Sequence, residues 1–541
     1  MVGRSADFDE MVIDAKRQIM QDTLASELNV LANLFNRLAK QSRATRDFSL
    51  TGFREALATV VAHFPVYRTY VSAAGVTTED RRDLDWALGS ARRAARAPDT
   101  SIYDFIHAVL TLDVLAGSRD YRRRAVVDAA FKLQQYTGPV MAKAMEDTAF
   151  YRYVRLVSLN EVGGDPGRFG TRPSEFHEAN RRRWHEHPFS MVTTATHDHK
   201  RGEDVRARLN VLSQVPREWT RRVRRWMQMN VRKVGEADGR PAPSRNDEYL
   251  FYQTVVGSWP YDLDGPRFEG IEAFSERLGA YMLKAAREAK LRTSWAAPNE
   301  AYERAVSEFV ARTLVPELSR PFLEDVHGLV EQIAAAGAVD GLSQILLKLV
   351  SPGVPDTYQG TEVWDFSLVD PDNRRPIDYD VRLATLRSLG SASCGELLQS
   401  WRDGRIKQHV IHRALDVRRR HPALFAEGDY QPLGATGPEA ERLLAFARSH
   451  DGRMLVAVVP RLVWPLVRHE ARPLPRGWGA TRLQLPETPG HGHMLVNVMS
   501  GAELEVPFDN HLEIEQLLAE FPVALLVSAA GSVSRDETTG S

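Results

Sequence analysis

Residues that could do chemistry crowd into one stretch, His197-Asp198-His199-Lys200-Arg201. A carboxyl set between imidazoles and followed by two cations stays ionised, because nearby positive charge favours the anion. The same residue types raise a second chemistry, metal ligation, and His185-Glu186-His187 repeats them just upstream. Neither set has the His-Glu-x-x-His spacing that puts two imidazoles on one helical face, and no cysteine joins them. The spacing therefore argues against a metal, and no cofactor is expected. The third possibility is a solvated loop of ordinary charges.

The flanking elements bear on that choice. Phe189 to Thr196 is rich in β-branched residues and predicts a short buried strand. Glu203 to Leu212 predicts a helix, with Glu203 and Asp204 in its first turn, where carboxylates complement the dipole. The polar cluster thus falls where a strand ends and a helix begins, the edge at which α/β folds do chemistry. A second transition of this kind leads from the apolar run Leu342 to Val350 into SPGVPDTYQGTE at 351–362. The loop DPDNRRP at 370–376 lacks the glycine and spaced acids of a calcium loop, so it is expected to contact sugar or the fold itself. Asn160 to Pro166 is loop by its glycines and proline.

Residues 8–42 predict one long helix, whose Leu24, Leu28, Leu31, Phe35 and Leu38 form a single apolar stripe. Further helices are predicted over Ser49–Phe64, Thr78–Ala95 and Ala116–Tyr136, and through most of 205–345. Val66 to Val71 reads as a strand. About four strands are counted in this part of the chain, near Val66, Val140, Thr193 and Leu346. After about residue 430 the period falls to two. Leu443–Arg448 and Met454–Val459 flank Asp451-Gly452, a hairpin signature, and Met494–Met499, Glu503–Val506 and Val523–Val527 continue it. Ser532 to Ser541 reads as a disordered polar tail.

At 541 residues, with 43% hydrophobic and 26% charged residues, the chain fits an ordinary globular protein of two or more domains. A net charge of −1 argues against bulk attraction to nucleic acid or anionic membrane. No run of about 18 apolar residues is evident, so no membrane span is expected. One cysteine, Cys394, excludes an internal disulfide and fits a reducing, cytoplasmic compartment. The first residues carry early acids and no apolar core, unlike a secretory signal.

Several longer stretches carry a resemblance. QQYTGPVMAKAMEDTAFYRY, SLNEVGGDP, TTATHDHKRGEDVRARL, NDEYLFYQTVVGSWP, KAAREAKLRTSWAAPNEAYE and SPGVPDTYQGTEVWDFSLVDPDNRRPIDYD resemble maltooligosyltrehalose synthases, of the α-amylase superfamily. The resemblance runs from about residue 8 to about residue 530 and is to the C-terminal portion of that family. It implies an α/β fold: an incomplete (β/α)8 TIM barrel with large helical insertions and a C-terminal antiparallel β domain. The implied divisions are 1–204 and 342–380 for the barrel part, 205–341 for a helical insertion, 381–430 for a helical connection and 431–531 for the β domain. It also implies an isomerase activity, in which the reducing-end α-1,4 bond of a maltooligosaccharide becomes an α,α-1,1 bond.

In that chemistry one carboxylate attacks the anomeric carbon, a second acts as acid and base, and a third steadies the distorted transition state. The motif match gives Asp198 the third role, with His197 beside it as a hydroxyl ligand. Lys200 and Arg201 match the family's basic pair and are expected to bind substrate, as is Lys143. An ion pair from Lys143 to Glu146 or Asp147 is the alternative. His199 stands where the family commonly has Thr. The family's nucleophile motif, G-[FL]-R-x-D-H, and its acid are not found in these residues. Three readings follow. The first is a synthase chain truncated or completed by an N-terminal fragment, with a maltooligosaccharide substrate and a maltooligosyltrehalose trehalohydrolase acting alongside. The others are a non-catalytic α-glucan-binding remnant and an amylase-like hydrolase.

Overall fold

The computed structural model describes residues 7–95, 99–117, 119–263, 268–486 and 494–528. The tail expected at 532–541 lies outside the described residues. The described residues form two compact units, one built from 2–155 with 284–303 and the other from 156–283 with 304–541.

The first unit is helical. Asp7 starts it, its carboxylate accepting from the N–H groups of Asp9 and Glu10. The single helix predicted over 8–42 is two helices, Phe8–Gln21 and Ala25–Ala39. The chain turns between them, with the Leu24 N–H bonded back to the Ile19 carbonyl at 2.9 Å. The predicted stripe survives the break: Leu28, Leu31, Phe35 and Leu38 are buried against Phe53, Leu57 and Val60 of the helix Leu50–Ala62. Each such side chain contributes about 1.5–3 kcal/mol on burial.

The strand predicted at Val66–Val71 does not form. Its backbone bends at Val66 and Tyr67, and further on finds side chains instead of a neighbouring strand. Gln134 accepts from the Val71 N–H at 2.6 Å and donates to the Val71 carbonyl at 3.0 Å, while Asp80 accepts from the Tyr70 N–H at 2.7 Å. The strand counted near Val140 is also helix. Arg123–Met141 runs through Pro139 and continues as a π-helix over Ala142–Ala149. Val126, Ala130, Leu133, Thr137 and Val140 are all buried, a helical face that outweighs the β-branched local preference.

In the second unit the strand counted near Leu346 is the end of a 35-residue helix, Pro316–Val350. A short run apolar on every face reads alike as strand or as buried helix. Here it is helix because packing surrounds it. Contrary to the sequence expectation, this helix is long and apolar enough to cross a membrane, but 83% of its apolar window is buried, as in a core helix. The parallel sheet among the described residues has two strands, Met191–Val192 and Val354–Pro355, in place of the four expected.

The expected C-terminal antiparallel domain is present. A six-stranded sheet contains the hairpin Leu443–His450 and Arg453–Pro460, whose second strand pairs centrally with Ala524–Ser528, and a three-stranded sheet lies beside it. Asp451 and Gly452 both take positive φ, 48° and 72°, which a two-residue turn of this twist requires. Alternation then splits the strands between two cores. Leu444, Phe446, Leu455 and Ala457 share a core with the Pro316–Val350 helix, while Leu443, Ala445, Met454 and Val456 share one with Leu483 and Leu512.

Candidate active site

The parallel pair sets the position of the site. Met191 pairs with Val354 and Val192 with Pro355, and the Val354 and Asp356 N–H groups donate to Ser190 and Val192. Gly353 makes the approach possible: its φ is +119°, and a Cβ there would lie 2.8 Å from the Ser190 carbonyl. Both strands then release loops at their C-terminal ends.

The loop after Val192 carries the predicted cluster and is wired from within. Thr196 Oγ1 accepts from the Asp198 N–H at 3.1 Å, a local turn that threonine favours. His199 is buried and turns inward. Its Nδ1 accepts from the Thr196 N–H, which leaves Nε2 as the donor to Ser367 Oγ at 3.4 Å, and its ring meets Tyr358 edge-on at 5.7 Å. An imidazole used this way is structural and has no lone pair left for a metal. Among the described residues no group of three His, Cys, Asp or Glu side chains is gathered as a metal site.

The loop is also pinned from outside. Glu161 accepts from the Lys200 N–H at 2.9 and 3.0 Å and from the Arg201 N–H at 3.2 Å. Asn373, in the DPDNRRP loop, donates to the His197 carbonyl at 3.0 Å. The Gly202 N–H donates to the Ser367 carbonyl at 2.8 Å, and Arg201 bridges to Leu368. Three stretches far apart in sequence, around residues 161, 200 and 370, meet here.

Below the loop lies a buried charge cluster. Glu203 and Asp204 open the helix Glu203–Asn210, and Lys407 Nζ sits 2.6 Å from one carboxylate and 2.7 Å from the other. Asp204 also accepts from the Asp365 N–H, and Glu203 from Thr194 Oγ1. Burial opposes ionisation of Glu203, but Lys407 and Lys348 outweigh it and hold this carboxyl low. Burial pushes Asp204 up to about 6, with Lys407 opposing and Glu203 adding to the rise. Burial disfavours the Lys407 ammonium, but the two carboxylates outweigh it and raise its pKa.

The structure thus brings His197, Asp198, Lys200 and Arg201 together on one loop and separates their duties. His197 and Asp198 are exposed at the tip. Lys200 is buried, with its backbone held by Glu161. Arg201 is buried too, donating to the Tyr281 hydroxyl at 2.5 Å and to the Val157 carbonyl at 3.3 Å. Lys143 lies in the helical unit and pairs with Asp147 at 2.6 Å, the alternative the sequence offered. Sequence reasoning missed Glu161, Lys407 and the anchoring role of Asn373. Glu161 falls in the SLNEVGGDP stretch, but there it reads as one acid in a glycine loop with nothing local to assign it a role. Chemically, the tip offers a carboxyl and an imidazole on a stiff backbone, a pair suited to gripping hydroxyls and steadying positive charge.

No family model matches the chain. It is 40% identical over 401 residues to a Mycobacterium tuberculosis protein (strain H37Rv) named "Putative maltooligosyl trehalose synthase"; the match covers 74% of this chain and 46% of that protein. Maltooligosyltrehalose synthase from Arthrobacter ramosus superposes with a TM-score of 0.76 at 34% identity, over 97% of this chain and 59% of that one. A Sulfolobus tokodaii structure titled hypothetical maltooligosyl trehalose synthase gives 0.68 at 26% identity, over 97% and 58%. The chain resembles maltooligosyltrehalose synthases along nearly its whole length and spans about half the length of the curated relatives it matches.

Proposed function

We propose that this chain supplies the transition-state-stabilising part of a maltooligosyltrehalose synthase site. The carrying observation is the exposed pair His197 and Asp198, at the end of a parallel strand pair and on a loop pinned by Glu161 and Asn373. The substrate is a maltooligosaccharide, whose reducing-end α-1,4 bond is moved to an α,α-1,1 bond in an intramolecular isomerisation. Asp198 steadies the oxocarbenium-like transition state, and His197 binds a hydroxyl of the same sugar. Lys200 and Arg201 hold the loop from beneath, and Lys143 is a further oligosaccharide ligand. The reaction needs no metal or cofactor.

A retaining mechanism also needs an attacking and a proton-donating carboxyl about 5 Å apart. No motif in these residues matches either one. In this proposal both come from a further segment bearing the G-[FL]-R-x-D-H motif, which also completes the barrel. A trehalohydrolase acting on the trehalose-ended product would work alongside, in the cytoplasm that a single cysteine suits.

The test is maltopentaose with the chain alone and then with that segment, following loss of reducing ends. The chain alone should be inactive and the pair active. Turnover by the chain alone that Asp198→Asn abolishes would show the catalytic pair to lie within these residues. Turnover indifferent to that substitution would remove Asp198 from the site.

A further inference from the structure

Apart from the Asp198 loop, a cavity of about 580 Å³ opens beside residues 363–375. That lies within the roughly 300–1,000 Å³ of ligand pockets. Tyr261, Trp364 and Phe366 line it, all half-buried. Tyr261 meets Phe366 edge-on at 4.9 Å and Trp364 at 6.3 Å, so the rings brace one another and still reach the cavity.

The charges around the cavity select for the ligand. Three acids, Asp262, Glu269 and Asp403, face three arginines, 277, 375 and 402. The arginines are already engaged. Arg277 grips Asp372 with two bonds of 2.8 and 2.9 Å, Arg375 lies 3.2 Å from the same carboxylate, and Arg402 pairs with Glu331 at 2.5 Å. A phosphate or carboxylate would have to compete with those partners. Asp262 and Glu269 are exposed and make no ion pair among the described residues, so their oxygens can accept from hydroxyls. A balanced rim over an aromatic floor suits a neutral ligand with many hydroxyls and apolar ring faces.

We infer that this cavity binds an α-glucan chain at a site separate from the Asp198 loop; the glucan rests on the function proposed above. One segment backs both sites. Asp372, which holds Arg277 at the cavity, accepts from the Leu368 N–H at 2.7 Å, and the next residue, Asn373, holds the His197 carbonyl. A glucan in the cavity is therefore moored beside the loop that acts on it.

Calorimetric titration of the full chain with maltoheptaose tests this. Ala273→Trp fills the cavity from an exposed lining position, and Asp262→Ala with Glu269→Ala removes the acceptors. Each change should weaken binding about tenfold or more. Asp198→Asn should retain the cavity's binding, and circular dichroism should stay unchanged throughout. Four results would overturn the inference: no maltoheptaose binding, equal binding of cellohexaose, tighter binding of glucose 6-phosphate, or binding lost in Asp198→Asn but kept in Ala273→Trp. The reducing-end assay separates the two ideas. Product formed without cavity binding removes only the cavity site; cavity binding without product from the completed enzyme removes only the synthase reading.

Discussion

Asp198 hydrogen-bonds to the fold through its backbone N–H, while its side chain is exposed at the loop tip. Asp198→Asn should therefore leave the fold intact and lower turnover of the completed enzyme about a thousandfold or more, read as kcat on maltopentaose. Glu161 acts differently, through the backbone of Lys200 and Arg201. Glu161→Ala strands those donors, at about 1–3 kcal/mol for each unsatisfied group. Amide exchange at Lys200 and Arg201 should quicken, and Glu161→Gln, which keeps one acceptor, should fall between. Unchanged exchange in Glu161→Ala would remove its positioning role. The cluster was legible in sequence because its members are contiguous. Glu161 and Asn373 were not, because they lie 39 and 176 residues from the groups they hold, and only folding creates those pairings.

At the scale of elements, two buried charges make opposite demands. Lys407 neutralises Glu203 and Asp204 where the Glu203–Asn210 helix begins. Lys407→Met leaves two carboxylates buried without their shared partner and should cost about 3–5 kcal/mol in urea denaturation. The triple change Glu203→Gln, Asp204→Asn, Lys407→Met should cost less, since no carboxylate is then buried without Lys407 and Lys348 alone keeps its charge. An equal cost would show that shape, not charge, is at stake. Lys16, on the helix Phe8–Gln21, is buried and donates to the Phe64 carbonyl at 2.8 Å. Burial lowers its pKa to about 8 against Asp9's opposing pull, so between about 8 and its ordinary 10.5 the unfolded chain binds the proton better than the folded one. This residue's contribution to stability therefore rises with pH across that window, by about 3 kcal/mol at most. Urea midpoints at pH 7.5 and 10 should show a rise that Lys16→Met removes.

At the scale of the whole molecule, the strand pair Met191–Val192 and Val354–Pro355 has outer edges that no further strand among the described residues pairs. Contrary to the buried strand expected there, Met191 within the pair and Phe189 just before it are each 70% exposed. Open apolar edges invite pairing. Adding the segment that carries the missing carboxylates should slow amide exchange at Met191, whose backbone faces the open edge, about tenfold and reduce binding of an apolar dye; no change there would mean that the segment docks elsewhere or not at all. The sequence alone determined what depends on neighbours in the chain. The Asp451-Gly452 turn demands positive φ, the Leu28–Leu38 stripe demands one buried helix face, and the polar run after Val192 sits at a strand end. Tertiary structure decided the short apolar runs at Val66–Val71, Val140 and Leu342–Val350, which can satisfy their backbone as strand or otherwise. Gln134 and Asp80 stood in for a strand beside Val66–Val71, and surrounding packing kept Leu342–Val350 helical. Backbone hydrogen bonds must be made somewhere, and which partner makes them is fixed by the groups that folding brings alongside.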